Sequence, residues 1–187
     1  EYSHRLVASV LSTLVLAVAV LALLFYRRHH WIIAPSLLGL ALVVAAAVLG
    51  GITVLTELDP WVVMVHLGLA ESVLACLLIV TAVVWMPAGS LETRESEGMG
   101  DYRFKSLVLA TGLGLFVLIV LGSYMVGQGA GHACHTWPLC RGSLAPAGTS
   151  STIHMVHRYV AAGVGLLVFA TAVSAWSRRT YRPEVGL

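Results

Sequence analysis

The sequence predicts an all-α fold, a polytopic membrane helical bundle with five transmembrane helices. Three observations predict it. Of the 187 residues, 58% are hydrophobic and only 11% are charged, with a mean hydropathy of +0.89; a soluble domain carries roughly 25% charged residues. Five segments, 6–26, 32–56, 61–86, 107–127 and 153–176, each supply the ~20 apolar residues needed to cross a core of about 30 Å. The basic residues also alternate between the connections. Eight (Arg27, Arg28, Arg94, Arg103, Lys105, Arg178, Arg179, Arg182) fall on one side and three (Arg5, Arg141, Arg158) on the other.

Taken in order, the first segment lacks a basic n-region and is too long for a signal h-region, so it reads as a span. It ends at Arg27-Arg28. The second and third segments are joined by a short polar turn ending in Asp59-Pro60, and Trp31, Trp61, Trp85 and Trp176 mark span ends as an aromatic belt does. The stretch 87–106 is polar, charged and glycine-containing, and reads as a cytoplasmic linker between a three-helix part (1–86) and a two-helix part (107–187). The side with eight basic residues is expected to be cytoplasmic. The protein is then a multi-pass protein of the plasma membrane, with the lipid bilayer as solvent. The net charge of +2 gives no reason to expect a nucleic-acid partner.

Cys134 and Cys140 lie in the long outer loop between the last two segments. Their five-residue separation suits a small disulfide ring in an oxidising compartment, with a stabilisation of roughly 2 kcal/mol from loop closure. Two free thiols, or metal ligands joined by His132 and His135, are the alternatives. Cys76, inside the third span, reads as an inert core residue.

A weak internal repeat accompanies this pattern. Glu1-Tyr2-Ser3-His4-Arg5 heads the first apolar segment, and His154-Met155-Val156-His157-Arg158 heads the fifth. Leu49-Gly50-Gly51 and Leu121-Gly122-Ser123 sit where the second and fourth helices are expected to end. Small residues there let helices approach closely. The repeat implies eight spans in two pseudo-twofold four-helix halves, of which this chain would hold five.

Ionisable groups inside a bilayer are costly and mark function by default. His66 lies roughly 7–8 Å into the third helix. His4 lies near the same end of the first, which runs parallel to it. Two neutral imidazoles facing each other there can hold a haem iron; the plainer alternative is a pair of hydrogen-bonded structural histidines. Arg5 and Arg158 each follow a histidine and suit haem propionates or other polar contacts, or lipid headgroups. Glu1, one turn before His4, suits proton transfer or water positioning, or is simply a helix-start charge. The second copy has His154 there, which suits a passive site. Glu71 is mid-membrane, about 140° around the helix from His66, and is expected to face another helix or be protonated.

These residues together resemble the haem A synthase family. Glu1-Tyr-Ser-His-Arg5 is similar to its E-x-x-H-R motif. The stretch from Leu49-Gly-Gly to Asp59-Pro-Trp61, followed by His66-Leu-Gly-Leu-Ala70, resembles its third and fourth helices. Gly127-Gln-Gly-Ala-Gly-His-Ala-Cys134 with Trp137-Pro-Leu-Cys140 resembles its cysteine-bearing loop, and His157-Arg158 its sixth-helix motif. The resemblance covers essentially the whole chain, which would lack the first helix and the last two. His135-Thr136 departs from the family's frequent Pro-Asp.

The resemblance implies an oxidoreductase that converts haem O to haem A, oxidising the C8 methyl to a formyl group through hydroxylated intermediates to supply haem A to terminal oxidases. It implies that His4, His66 and Glu1 serve the substrate haem in the N-terminal half. His157 would bind a haem b cofactor in the C-terminal half, both sites facing the extracytoplasmic side. Haem O synthase, an electron acceptor, oxidase assembly factors and a homo-oligomer are the partners it suggests. A bis-histidine haem b electron-transfer cytochrome and a haem-free structural subunit of a membrane complex are the competing readings.

Overall fold

The computed structural model describes residues 2–85 and 99–181. Among these residues the chain forms five long helices and no strand. They are α1 (Tyr2–Phe25), α2 (His30–Leu55), α3 (Pro60–Trp85), α4 (Met99–Gly127) and α5 (Thr149–Tyr181), with a short 3₁₀ turn at Ala130–His132 before α5. All five are long and apolar enough to cross a membrane. The chain divides into two compact units, Glu1–Glu92 and Thr93–Leu187.

In the first unit, α1 ends where Arg27 turns its guanidinium back, Nε donating to the Leu23 carbonyl at 2.7 Å. A cation there satisfies a terminal carbonyl and complements the helix dipole. The turn from α2 to α3 is tight. Glu57 and Leu58 take left-handed backbone angles, φ 54° and 68°, and the Leu58 N–H closes on Thr53 O at 2.8 Å. Asp59 then caps α3, its Oδ1 accepting from the backbone N–H groups of Trp61 at 2.9 Å and Val62 at 3.3 Å. Pro60 occupies the first helical position, where its missing N–H costs nothing.

The buried positions repeat at helical spacing: Val15, Ala19 and Ala22 on α1, Ile32, Ser36 and Gly39 on α2, and Val73, Cys76 and Val80 on α3. Ala22, Ile32 and Val80 form one apolar cluster with Val18 and Val83. Most other apolar side chains face outward, as a lipid-facing surface requires. Small residues replace bulk at the contacts because helices in lipid associate by close packing rather than by hydrophobic exclusion. α2 packs against both α1 and α3.

In the second unit, α4 packs along α5. Thr111 Oγ1 lies 2.8 Å from Thr171 Oγ1, a hydroxyl pair across the two helices. Phe104 on α4 carries the Arg178 guanidinium over its ring at 4.4 Å. The fourth helix thus begins at Met99, well before residue 107, where the apolar run begins. Hydropathy marks membrane depth, and a helix with Arg103, Phe104 and Lys105 continues beyond it. Residues 87–98 of the expected linker lie outside the described residues.

Candidate functional site

In the first unit, Ala46 and Gly50 are one turn apart on α2 and face α3. There the His66 imidazole lies against the α2 backbone. Its Nδ1–H donates to the Ala46 carbonyl at 2.9 Å. A carbonyl only accepts, so of the two neutral tautomers this bond selects the one with its proton on Nδ1 and its lone pair on Nε2. A Cβ built on Gly50 would stand 3.3 Å from His66 Cε1 and 3.7 Å from Nδ1. Gly50 and Gly51 lie within α2, a turn before its end at Leu55, rather than at the helix terminus the sequence suggested.

His4 is exposed on the first turns of α1, and Arg5 beside it is exposed as well. The up-down order of α1, α2 and α3 brings the N-terminal ends of α1 and α3 to the same end of the unit. His4 and His66 therefore share that end of the unit, on two different helices. Glu1 lies outside the described residues. Glu71 Oε2 on α3 is buried and has no hydrogen-bond partner among the described residues.

In the second unit, His157 on α5 lies against Gly122 of α4. A Cβ at Gly122 would be 3.1 Å from His157 Cε1 and 3.7 Å from Nδ1. Here Nδ1 is buried without a partner among the described residues. An orphaned buried polar atom costs about 1–3 kcal/mol and calls for a reason.

The neighbours of His157 hold the outer loop. His154 is buried, and its Nδ1–H donates to Ala130 O at 2.9 Å. Arg158 donates from Nη1 to the carbonyls of Thr136 at 2.6 Å and Pro138 at 3.2 Å, and from Nη2 to that of Cys134 at 3.0 Å. The Tyr159 hydroxyl donates to Leu144 O. Cys134 and Cys140 form a disulfide, Cα–Cα 4.9 Å, packed with Met155 of α5. Among the described residues no cluster of side chains is arranged to hold a metal ion, so His132 and His135 do not join the cysteines in one. Cys76 is a buried free thiol between α2 and α3.

These geometries fit a haem. His66 offers Nε2 with its tautomer set by a backbone carbonyl, the usual arrangement of a metal-bound imidazole. Each histidine occupies a cradle that any side chain at Gly50 or Gly122 would fill. Sequence reasoning missed the Ala46 carbonyl and the loop-holding role of His154. Gly50 and Gly122 were visible in the repeat, but not as the surfaces against which the imidazoles rest.

Residues 1–152 match the COX15-CtaA family, described as cytochrome oxidase assembly protein. The chain is 30% identical over 173 residues to a heme A synthase of Exiguobacterium sibiricum, covering 91% of this chain and 54% of that protein. It is 25% identical over 186 residues to a heme A synthase of Alkalihalophilus pseudofirmus, covering 97% of this chain and 60% of that protein. A shorter stretch of 84 residues is 45% identical to protoheme IX farnesyltransferase 1 of Natronomonas pharaonis, covering 45% of this chain and 18% of that protein. The chain thus spans little more than half the length of the heme A synthases it matches most fully.

Proposed function

This chain belongs to the COX15-CtaA family of cytochrome oxidase assembly proteins, and from that premise we propose that it is part of a haem A synthase. The reaction oxidises the C8 methyl of haem O to a formyl group through hydroxylated intermediates. The observation that carries this reading is His66. It is an imidazole at membrane depth, held by Ala46 O and fitted against Gly50, in the bonding that favours the tautomer with its lone pair on Nε2.

His66 and His4 are the residues that would hold the substrate haem in the first unit. Arg5 suits a propionate beside them, since a planar guanidinium binds a carboxylate in bidentate fashion. Converting a methyl to a formyl takes two oxidations, and the hydroxylated intermediates must lose protons. Glu1, three residues before His4 in the sequence, suits taking those protons or positioning a water. In the second unit His157 would hold haem b, which supplies one-electron transfer when bound. Arg158 and His154 there keep the disulfide loop on α5. The asymmetry of basic residues supports haem sites on the extracytoplasmic side of the plasma membrane. The similarity to a protoheme IX farnesyltransferase supports a partner that makes the farnesylated haem. An electron acceptor, oxidase assembly factors and a second copy of the chain are further candidate partners.

The test is co-expression of the intact protein with a haem O source, followed by extraction of the pigments. Haem A is expected from the wild type, and none from His4→Ala or His66→Ala. Glu1→Gln is expected to bind haem but accumulate haem O or the alcohol. Undiminished haem A from the His66→Ala protein would overturn the assignment, and the absence of formyl haem in the wild type would favour an electron-transfer cytochrome.

A further inference from the structure

Two glycines meet the two candidate haem histidines, one in each unit. A side chain at Gly50 would press on His66 Cε1 at 3.3 Å, and one at Gly122 on His157 Cε1 at 3.1 Å. Contacts between 3.0 and 3.4 Å force the neighbour to give way. The ring is the part free to move, because the glycines are set in continuous helices. In the first unit the ring has a second constraint. His66 Nδ1 is tied to the Ala46 carbonyl, one turn from Gly50 on the same helix. Displacing the ring therefore stretches that hydrogen bond and moves Nε2 together with it.

We propose that Gly50 and Gly122 are positioning residues: each fixes where the imidazole of the facing helix lies, and so where its Nε2 ends, by offering bare backbone instead of a side chain. Gly50 acts together with the Ala46 carbonyl, which fixes the tautomer. Gly122 acts alone, since His157 Nδ1 has no partner among the described residues. The part of this inference that concerns haem rests on the function proposed above; the part that concerns the ring does not.

The structure supplies matched controls. A Cβ at Gly39 would meet Cys76 Cβ at 3.3 Å, and one at Gly114 would meet Val164 Cγ2 at 3.2 Å. Each lies in the same helix pair as the glycine it controls and is equally crowded, but meets no histidine. Alanine at Gly39 or Gly114 thus measures crowding of the helices alone.

The experiment has two arms on the intact membrane protein. The first is a double-mutant cycle in thermal unfolding, pairing Gly50→Ala with His66→Ala and Gly122→Ala with His157→Ala. Each glycine variant is expected to lower the midpoint when its histidine is present, and to have little effect when the histidine is already alanine. If Gly50→Ala alone fails to fold, the double variant is expected to fold. Gly39→Ala paired with His66→Ala should be additive. Additivity in both glycine–histidine cycles, or failure of the double variant to recover, overturns the proposal.

The second arm titrates ferric protohaem into the apoprotein and records affinity and the ligand-field spectrum. Gly50→Ala and Gly122→Ala are expected to weaken binding roughly 10- to 100-fold, as loss of ligand-supporting contacts does, with Gly39→Ala and Gly114→Ala near wild type. Equal affinities and spectra across all four variants overturn the haem part. If His66→Ala and His157→Ala bind protohaem as the wild type does, the functional reading fails instead, and the unfolding cycles still decide the role of the glycines.

Discussion

The hairpin of α2 and α3 and the hairpin of α4 and α5 both rest a histidine on a glycine of the facing helix, yet they hold it in place by different means. In the first, the connection is a short turn closed by Thr53 O and capped by Asp59, and the histidine is tied directly to Ala46 O. In the second, the connection is a long loop, and three side chains from one stretch of α5 (His154, Arg158 and Tyr159) hold it. His157 receives no such hydrogen bond itself. The difference teaches that one histidine ring is itself tied to the facing backbone, whereas in the other unit the hydrogen bonds go to the loop and the ring rests on Gly122 without one.

The largest expected effect breaks the second arrangement. Replacing Cys134 and Cys140 with Ser removes a loop closure worth about 2 kcal/mol. Arg158→Ala removes three charge-assisted bonds to loop carbonyls, whose loss costs about 1–3 kcal/mol. Both changes should speed proteolytic cleavage within residues 128–148. Cys76, buried between α2 and α3, reports on the other hairpin, and its thiol labelling should stay at the wild-type rate. Faster Cys76 labelling in the Arg158→Ala protein would show that the loop serves both hairpins.

A smaller effect sharpens the comparison from the other side. Asp59→Ala removes the cap of α3 and should cost about 1 kcal/mol. The fraction of time Cys76 is open to a maleimide should then rise about fivefold, while cleavage of the outer loop is unchanged. No change in Cys76 labelling would mean that the α2–α3 register is fixed by Gly39 and Gly50 packing rather than by the turn.

How much of this was legible in the sequence follows from what each feature depends on. The five spans were readable because a bilayer imposes a length and a composition that no soluble helix needs. The early start of α4 was not, because Arg103 and Lys105 resemble a linker to any measure of hydropathy, and only the stacking of Phe104 with Arg178 shows what the extension does. The histidines stood out because ionisable groups are rare at that depth. Their partners did not. Whether Ala46 or its neighbours supplies the carbonyl depends on helix register, and a backbone oxygen leaves no mark in a sequence. His154 appeared as one half of a repeat, and only the fold of the loop reveals it as the anchor of the 3₁₀ turn.

The smallest expected effect concerns what joins α4 to α5 below the loop. Thr111 Oγ1 lies within hydrogen-bonding distance of Thr171 Oγ1 and the Leu167 carbonyl of α5, and of the Leu107 carbonyl of its own helix. Valine has nearly the same shape, so Thr111→Val removes the hydroxyl without opening a cavity. Thr171 keeps its own bond to Leu167 O at 2.8 Å, so no group is left orphaned. The cost should therefore be only the interhelical bond itself, about 0.6 kcal/mol within a membrane. The contrasting change is Ser36→Ala on α2, where the hydroxyl bonds to Ile32 O one turn back and, among the described residues, to no second helix. Measured by unfolding in lipid nanodiscs, Thr111→Val should be slightly destabilising and Ser36→Ala close to neutral. If Thr111→Val is neutral as well, the hydroxyl pair adds nothing, and along this stretch the two helices are joined by close packing such as that at Gly114.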